Sequence, residues 1–222
     1  MRIIERILGG LFPPKCVLCG KVLQEQETDF CSACRMDAPV CPVDRRKKLP
    51  FLDSWLGVWY YEGSVRHSLL RYKFHGVRSY ADAYGRMLAM KLLQTHPEGF
   101  DMLTWVPISS LRKFKRGYDQ VELLSAVVAR ELEMQATPLL KKVRHNKPQS
   151  GILGDAQRRA NVLGAYRVID PELLKDKKIL LLDDIITTGA TVSECARMLL
   201  TAGAKEVHCG AVAIARRKKQ SR

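Results

Sequence analysis

The chain has no long hydrophobic run. Its 222 residues contain no stretch approaching the ~18 uninterrupted apolar residues a membrane span needs, so membrane insertion is not expected. The start is apolar at Ile3, Ile4, Ile7, Leu8, Leu11 and Phe12, but Glu5 and Arg6 interrupt it and Pro13-Pro14 end it. It lacks the unbroken apolar centre and small-residue cleavage site of a signal peptide, and its spacing suits a short amphipathic helix instead. A cytoplasmic protein with reduced or metal-bound cysteines is expected. A GxxxxGK[ST] loop is also absent, since Gly20-Lys21 is followed by Val22, which removes the P-loop nucleotidases. Acidic residues are in deficit: 23 Asp and Glu face 37 Lys and Arg, a net charge of +14. That excess favours polyanionic partners, namely phosphorylated small molecules, nucleic acid or an anionic surface, without choosing among them.

Ile179-Leu-Leu-Leu-Asp183-Asp184-Ile-Ile-Thr187-Thr188-Gly189-Ala190-Thr191 carries the strongest local signal. The apolar residues make one strand, and their lack of alternation suits a parallel sheet covered on both faces. Asp183 and Asp184 then fall at the strand's carboxyl end, where open α/β sheets bind ligands. Thr191 with Glu194 reads as a capping box, so a helix is expected from about Thr191. The turn between aims backbone N–H groups and Thr hydroxyls at one spot, an anion site suited to phosphate. The two carboxylates can accept hydrogen bonds from vicinal hydroxyls or hold Mg²⁺ together with a substrate's phosphates.

This pattern resembles the signature of type I phosphoribosyltransferases, which bind phosphoribosyl pyrophosphate (PRPP). The resemblance implies that Asp183 and Asp184 hold the ribose hydroxyls, while Thr187, Thr188, Gly189, Ala190 and Thr191 hold the 5′-phosphate.

Four of the seven cysteines have metal-ligand spacing: Cys16-x₂-Cys19, eleven intervening residues, then Cys31-x₂-Cys34. Two such pairs make a tetrahedral S₄ site, the usual structural Zn²⁺ arrangement, with no position left for a catalytic water. Two disulfides or a redox pair are the alternative reading. Cys41 is left over, with Asp44 where a CxxC would place its partner, whereas Cys195 and Cys209 read as small buried hydrophobes.

Between these features, Trp55 to Tyr61 reads as a strand, Val65 to Phe74 and Tyr80 to Gln94 as helices, and Met102 to Ile108 as a strand. A basic loop, Ser109 to Tyr118, follows, and Asp119 with Glu122 can cap the next helix. Arg112, Lys113, Lys115 and Arg116 should share the sheet edge with Asp183 and Asp184, facing pyrophosphate. Lys141 to Tyr166 reads as a long basic lid hinged at Gly151 and Gly154, with Arg144, Lys147 and Arg158 as its cations.

In order, the paired CxxC motifs, "VPIS…RGYDQ", "KPQSG…RRANVLGAY" and "LLLDDIITTGAT" resemble the ComF family of competence-associated, phosphoribosyltransferase-like proteins, from about Pro13 to Ala215. That resemblance implies an α/β fold: a type I phosphoribosyltransferase-like parallel sheet flanked by helices, with a small N-terminal Cys₄ zinc module. The expected divisions are 1–48 for an N-terminal helix and zinc ribbon, 49–100 for a hood and connection, 101–216 for the phosphoribosyltransferase domain and 217–222 for a basic tail. Many relatives carry a further cysteine pair; this chain keeps only Cys41, so one zinc is expected. The implied chemistry is displacement of pyrophosphate at the anomeric carbon, with Mg²⁺ bound alongside PRPP, and with Asp183, Asp184, Arg112 and Lys113 as the catalytic set. The acceptor and any general base stay unnamed. Two alternatives stand beside it. One is a PRPP-responsive factor without turnover, associated with single-stranded DNA or DNA-uptake proteins. The other is a zinc-ribbon nucleic-acid adaptor with a vestigial site, against which the intact signature argues. The basic runs Arg45–Lys48 and Arg216–Lys219 fall outside the expected PRPP pocket and favour nucleic acid.

Overall fold

The computed structural model describes residues 13–43, 48–144 and 155–216. The helix expected within residues 1–12, the 217–222 tail, Asp44, Arg45–Lys47, Lys147, Gly151 and Gly154 lie outside them.

A four-stranded, all-parallel sheet organises the chain. Its order is β1 (Ser54–Tyr60), β6 (Glu206–Ile214), β5 (Lys178–Ile186) and β2 (Met102–Trp105). The apolar run of β5 explains its inner position, because both faces are covered. Leu180 and Leu182 face one core, and Ile179 and Leu181 face the other; all four are fully buried. The first core is closed by α2 (Gly63–Phe74), α3 (Tyr80–Thr95) and α5 (Gln120–Glu131), through residues such as Leu69, Tyr84, Leu88, Leu124 and Val128. Helices α3 and α5 approach closely at Gly85, where a Cβ would stand 2.4 Å from Val127 Cγ1. The second core is closed by α7 (Ala190–Thr201) through Val192, Cys195, Ala196 and Leu199. Cys195 and Cys209 are both buried there, as small hydrophobes.

Three local expectations change. Residues 109–118 are not a loop, because α4 (Ser110–Arg116) occupies most of them and Gly117, at φ +78°, terminates it. Residues 141–166, expected as a lid, carry regular structure in their described parts. Leu140–Lys142 (β3) and Tyr166–Val168 (β4) pair antiparallel, and α6 (Asp155–Val162) stands between them in sequence. Buried Leu140 and Tyr166 tie this pair to the second core, outweighing the polarity around them. The helix after β5 begins at Ala190, beside the expected Thr191, but its capping box does not form. Its N-cap is Gly189, without a side-chain cap, because Glu194 instead accepts the Gly164 N–H at 2.8 Å and pairs with Arg197 at 2.8 Å.

The cysteine module, which includes the short helix α1 (Ser32–Asp37), docks on the first core. Cys16, Val17, Leu18, Phe30 and Cys31 pack with Val65, Leu69 and Tyr84. Arg71 donates to Val17 O at 3.1 Å and Leu18 O at 2.8 Å, and Arg86 grips both carboxylate oxygens of Asp29 at 2.7 and 2.8 Å. No helix among the described residues is long and apolar enough to cross a membrane.

Candidate functional site

The carboxyl ends of β5 and β2 open onto a cleft of about 760 Å³. Asp183 and Asp184 enter it from β5. Asp183 accepts the Asp184 N–H at 2.8 Å. Asp184, buried, pairs with Lys73 Nζ at 2.8 Å and accepts from Gln120 Nε2 at 2.9 Å; Arg116 in turn donates to Gln120 Oε1. Burial and the neighbouring Asp184 charge push the Asp183 carboxyl well above the usual carboxylate range, with Lys73 opposing them. Asp183 thus resists ionisation until a cation or a hydroxyl shares its charge.

Thr187 and Thr191 line the same cleft. Thr188 accepts the Ala190 N–H at 3.3 Å, shaping the turn from within. Gly189 adopts φ +82°, and a Cβ there would meet Leu49 Cδ2 at 2.5 Å, so both backbone and space require glycine. The uncapped first turn of α7 presents its N–H groups beside Thr187 and Thr191, the geometry of a helix-start anion site.

The cationic wall comes from α4: Arg112, Lys115 and Arg116 line the cleft. Lys113 does not; it turns to Glu122 on α5. Asp119 caps α5 by accepting from Val121 N at 2.9 Å and Glu122 N at 3.3 Å, and it accepts from Ile108 N at 3.2 Å, fixing the β2–α4 connection. Glu122 gives its carboxylate to Lys113 rather than closing a capping box. Arg158 lines the cleft from α6. Arg144 does not, and bonds Asn161 O at 3.4 Å.

Four polar residues were not singled out for the site by sequence. Lys73 belonged to the polar face of its helix, and Gln120 followed the Asp119 cap. Lys142, on β3, lies 3.3 Å from Tyr166 Oη and lines the cleft with it. Burial, then the nearby Arg112 charge, lowers Lys142 to about 8. Gln120 and Tyr166 end the stretches "RGYDQ" and "RRANVLGAY", yet no local spacing ties any of the four to Asp183; only tertiary folding brings them there.

The four module sulfurs of Cys16, Cys19, Cys31 and Cys34 lie within 4.8 Å of one another, with Cys19 and Cys31 at 3.7 Å. Tetrahedral Zn–S bonds of about 2.3 Å put sulfurs about 3.8 Å apart, so this donor set fits zinc. Gly20, at φ +81°, and the Gly20 N–H to Cys16 O bond of 2.8 Å form the tight turn that aims the first pair.

Residues 122–222 match the phosphoribosyl transferase domain family. Over 87% of its length the chain is 27% identical to competence protein F of Haemophilus influenzae, covering 82% of that protein. It is 27% identical to the DNA utilization protein YhgH of Escherichia coli K12 over 88% of its length and 94% of that protein's. Competence protein ComFC of Streptococcus pneumoniae is 28% identical over 87% of this chain and 96% of its own.

Proposed function

We propose that this chain, a ComF-family protein with a phosphoribosyl transferase domain, binds PRPP in the β5–β2 cleft and transfers its phosphoribosyl group with release of pyrophosphate. The observation that carries this is the juxtaposition of Asp183 and Asp184 with Thr187, Thr191, Arg112, Lys115, Arg116 and Arg158 in one cleft. The carboxylates take the ribose hydroxyls. Thr187, Thr191 and the amides of the Thr188–Ala190 turn take the 5′-phosphate. Arg112, Lys115 and Arg116 face the pyrophosphate, where negative charge grows as the anomeric bond breaks. Lys113 serves this wall only at a distance, by anchoring α4 to α5. The carboxylate-rich floor suits a hard cation, and Mg²⁺ arriving with PRPP would neutralise leaving-group charge. Helices α2 and α3, within residues 49–100, serve as the hood over the acceptor, and the Cys₄ module, holding one zinc, braces that hood.

Titration calorimetry with PRPP and Mg²⁺ tests the site. Binding is expected to vanish in the Asp183→Ala/Asp184→Ala protein while its circular dichroism stays native; equal affinity in that variant sinks the assignment. Pyrophosphate release across candidate acceptors then tests turnover.

One observation favours a second reading. Asp184 is already engaged by Lys73 and Gln120, so PRPP must displace or recruit both. A ligand that rearranges α2 and α5 in this way suits a PRPP-responsive factor of the cytoplasm working with single-stranded DNA or DNA-uptake proteins, in keeping with the competence and DNA-utilization names of its relatives.

A further inference from the structure

A groove of about 520 Å³ lies behind the phosphate turn, on the face of β1 that belongs to the second core. Helix α7 packs over β5 and β6. On β1, Gly57 sends out no side chain, and a Cβ there would stand 2.4 Å from Ile214 Cγ1. Ile214 therefore lies across the strand, and with Trp55, Leu56 and Ile186 it gives the groove an apolar floor. Tyr60 forms a wall, with the Arg216 guanidinium 4.1 Å from its ring centre, and Lys48 is a second cation at the rim. Both cations are exposed, and no carboxylate stands among the described lining residues. Glu62, which pairs with Arg216 at 3.3 Å, lies outside that lining. The volume is that of a small-molecule site. Floor, wall and rim together describe one ligand chemistry: a small planar aromatic body carrying an anionic group. Ring contacts hold the body, and Lys48 and Arg216 take the charge. The antiparallel bridge of Val40 to Trp59 covers part of the outer edge of β1, so an added β-strand is a poorer occupant.

The groove also touches the PRPP cleft. Thr187 lines both, and Thr188 lines the groove while accepting the Ala190 N–H at 3.3 Å. Buried Leu49, another lining residue, packs on Gly189 so closely that its Cδ2 stands 2.5 Å from where a Cβ would be. Leu49 thus has the groove on one side and the phosphate turn on the other. We propose that this groove is an effector site for a small aromatic anion, and that filling it tightens PRPP binding in the cleft. A filled groove backs Leu49 against Gly189 and holds the turn in the shape that presents the first N–H groups of α7. PRPP then has less ordering to do. By reciprocity, PRPP tightens the effector by the same factor. The coupling rests on the PRPP reading above; binding of the anion does not.

The probe is anilinonaphthalene sulfonate, an aromatic anion whose fluorescence rises in apolar sites, with neutral N-phenylnaphthylamine as its uncharged control. Lys48→Ala with Arg216→Ala should weaken the sulfonate about five-fold and leave the affinity of the neutral amine unchanged. Ala215→Trp, on the groove wall, should fill the space and abolish binding of both. Because Lys48 and Arg216 are surface residues, their variant keeps the test sound even if Ala215→Trp fails to fold. In calorimetry, saturating sulfonate should tighten PRPP about five-fold or more. Leu49→Ala should lose that effect while still binding the probe. Asp183→Ala/Asp184→Ala should lose PRPP and keep the probe. Inorganic phosphate, which needs only the turn, reads the same coupling should PRPP itself fail to bind. Absence of PRPP binding alone therefore overturns the reading of the cleft, not of the groove. Sulfonate affinity unmoved by the Lys48/Arg216 variant overturns the effector site. So does a saturating probe that leaves phosphate and PRPP affinities unchanged, or weakens them by entering the cleft itself.

Discussion

Lys142 is a lysine kept in a place that disfavours its charge, and that makes it a reporter of the cleft. Burial and Arg112 hold it near 8, against about 10.4 for a free lysine. An arriving polyphosphate offsets both causes and raises the value again. Below about 8 the amine is already charged, so nothing changes. Between about 8 and 10.4, binding must take up a proton, and affinity falls as pH rises through that window. Calorimetry at pH ~8.5 in buffers of different ionisation enthalpy should reveal this uptake, and Lys142→Met should remove it. The sign for folding is opposite. The unfolded chain binds the proton more readily, so this residue's destabilising effect fades as pH climbs from about 8. Gly189 is constrained differently. Gly189→Ala meets both a positive φ and Leu49, and should cost about 1–3 kcal/mol in a denaturation midpoint. Adding Leu49→Ala relieves the clash but not the backbone, so only part of the loss should return. The carboxylate pair was legible in sequence because four apolar residues lead straight into it. Lys73, Gln120 and Lys142 were not, because their relation to Asp184 and Asp183 is made by helices and a strand far away along the chain.

At the scale of elements, two misreadings have different causes. Glu194 looked like half of a capping box, but its carboxylate satisfies Gly164 N–H and Arg197, a tertiary demand no local pattern announces. Residues 109–118 looked like a basic loop facing pyrophosphate, yet α4 forms there and ends at Gly117, and α5 starts at the Asp119 cap. Strands β1, β2 and β5 were legible as apolar runs. Strands β3 and β4, three residues each and partly basic, leave too short a pattern to read. The cysteine module was legible from spacing alone, but its docking was not. Because Cys16, Val17 and Phe30 belong to the first core, metal loss should be felt beyond the module. Metal analysis should give one equivalent of zinc per chain, lost on Cys→Ser at any of the four positions. Thermal melting should show α2 and α3 destabilised with it, more than in Arg71→Ala, which removes the bonds to Val17 O, Leu18 O and Tyr80 Oη and leaves the four sulfurs in place. A chelated protein that melts like the native one would separate module from core and contradict this packing.

For the whole molecule, the net charge of +14 is a standing self-repulsion that bound polyanions relieve. PRPP with Mg²⁺ at about 100 times its dissociation constant should add about 2.7 kcal/mol to stability, raising the melting temperature by roughly 5–10 °C. Differential scanning calorimetry with the Asp183→Ala/Asp184→Ala protein as control checks this, and an equal rise in the control would mean charge relief rather than a site. The sheet order has a further consequence, which concerns time. Strand β6 lies between β1 and β5, yet it is made after every other described strand. A ribosome that has finished β1 must travel from residue 60 to residue 206 before the neighbour of β1 exists, roughly 7–30 s at 5–20 residues per second. Through that interval Leu56, Val58 and Trp59 wait without their sheet, while the cysteines, already outside, can take metal. Birth order therefore leaves the cysteine module, whose Phe30 packs edge-on against Trp59, as the cover available to the apolar side of β1 until the last strand arrives.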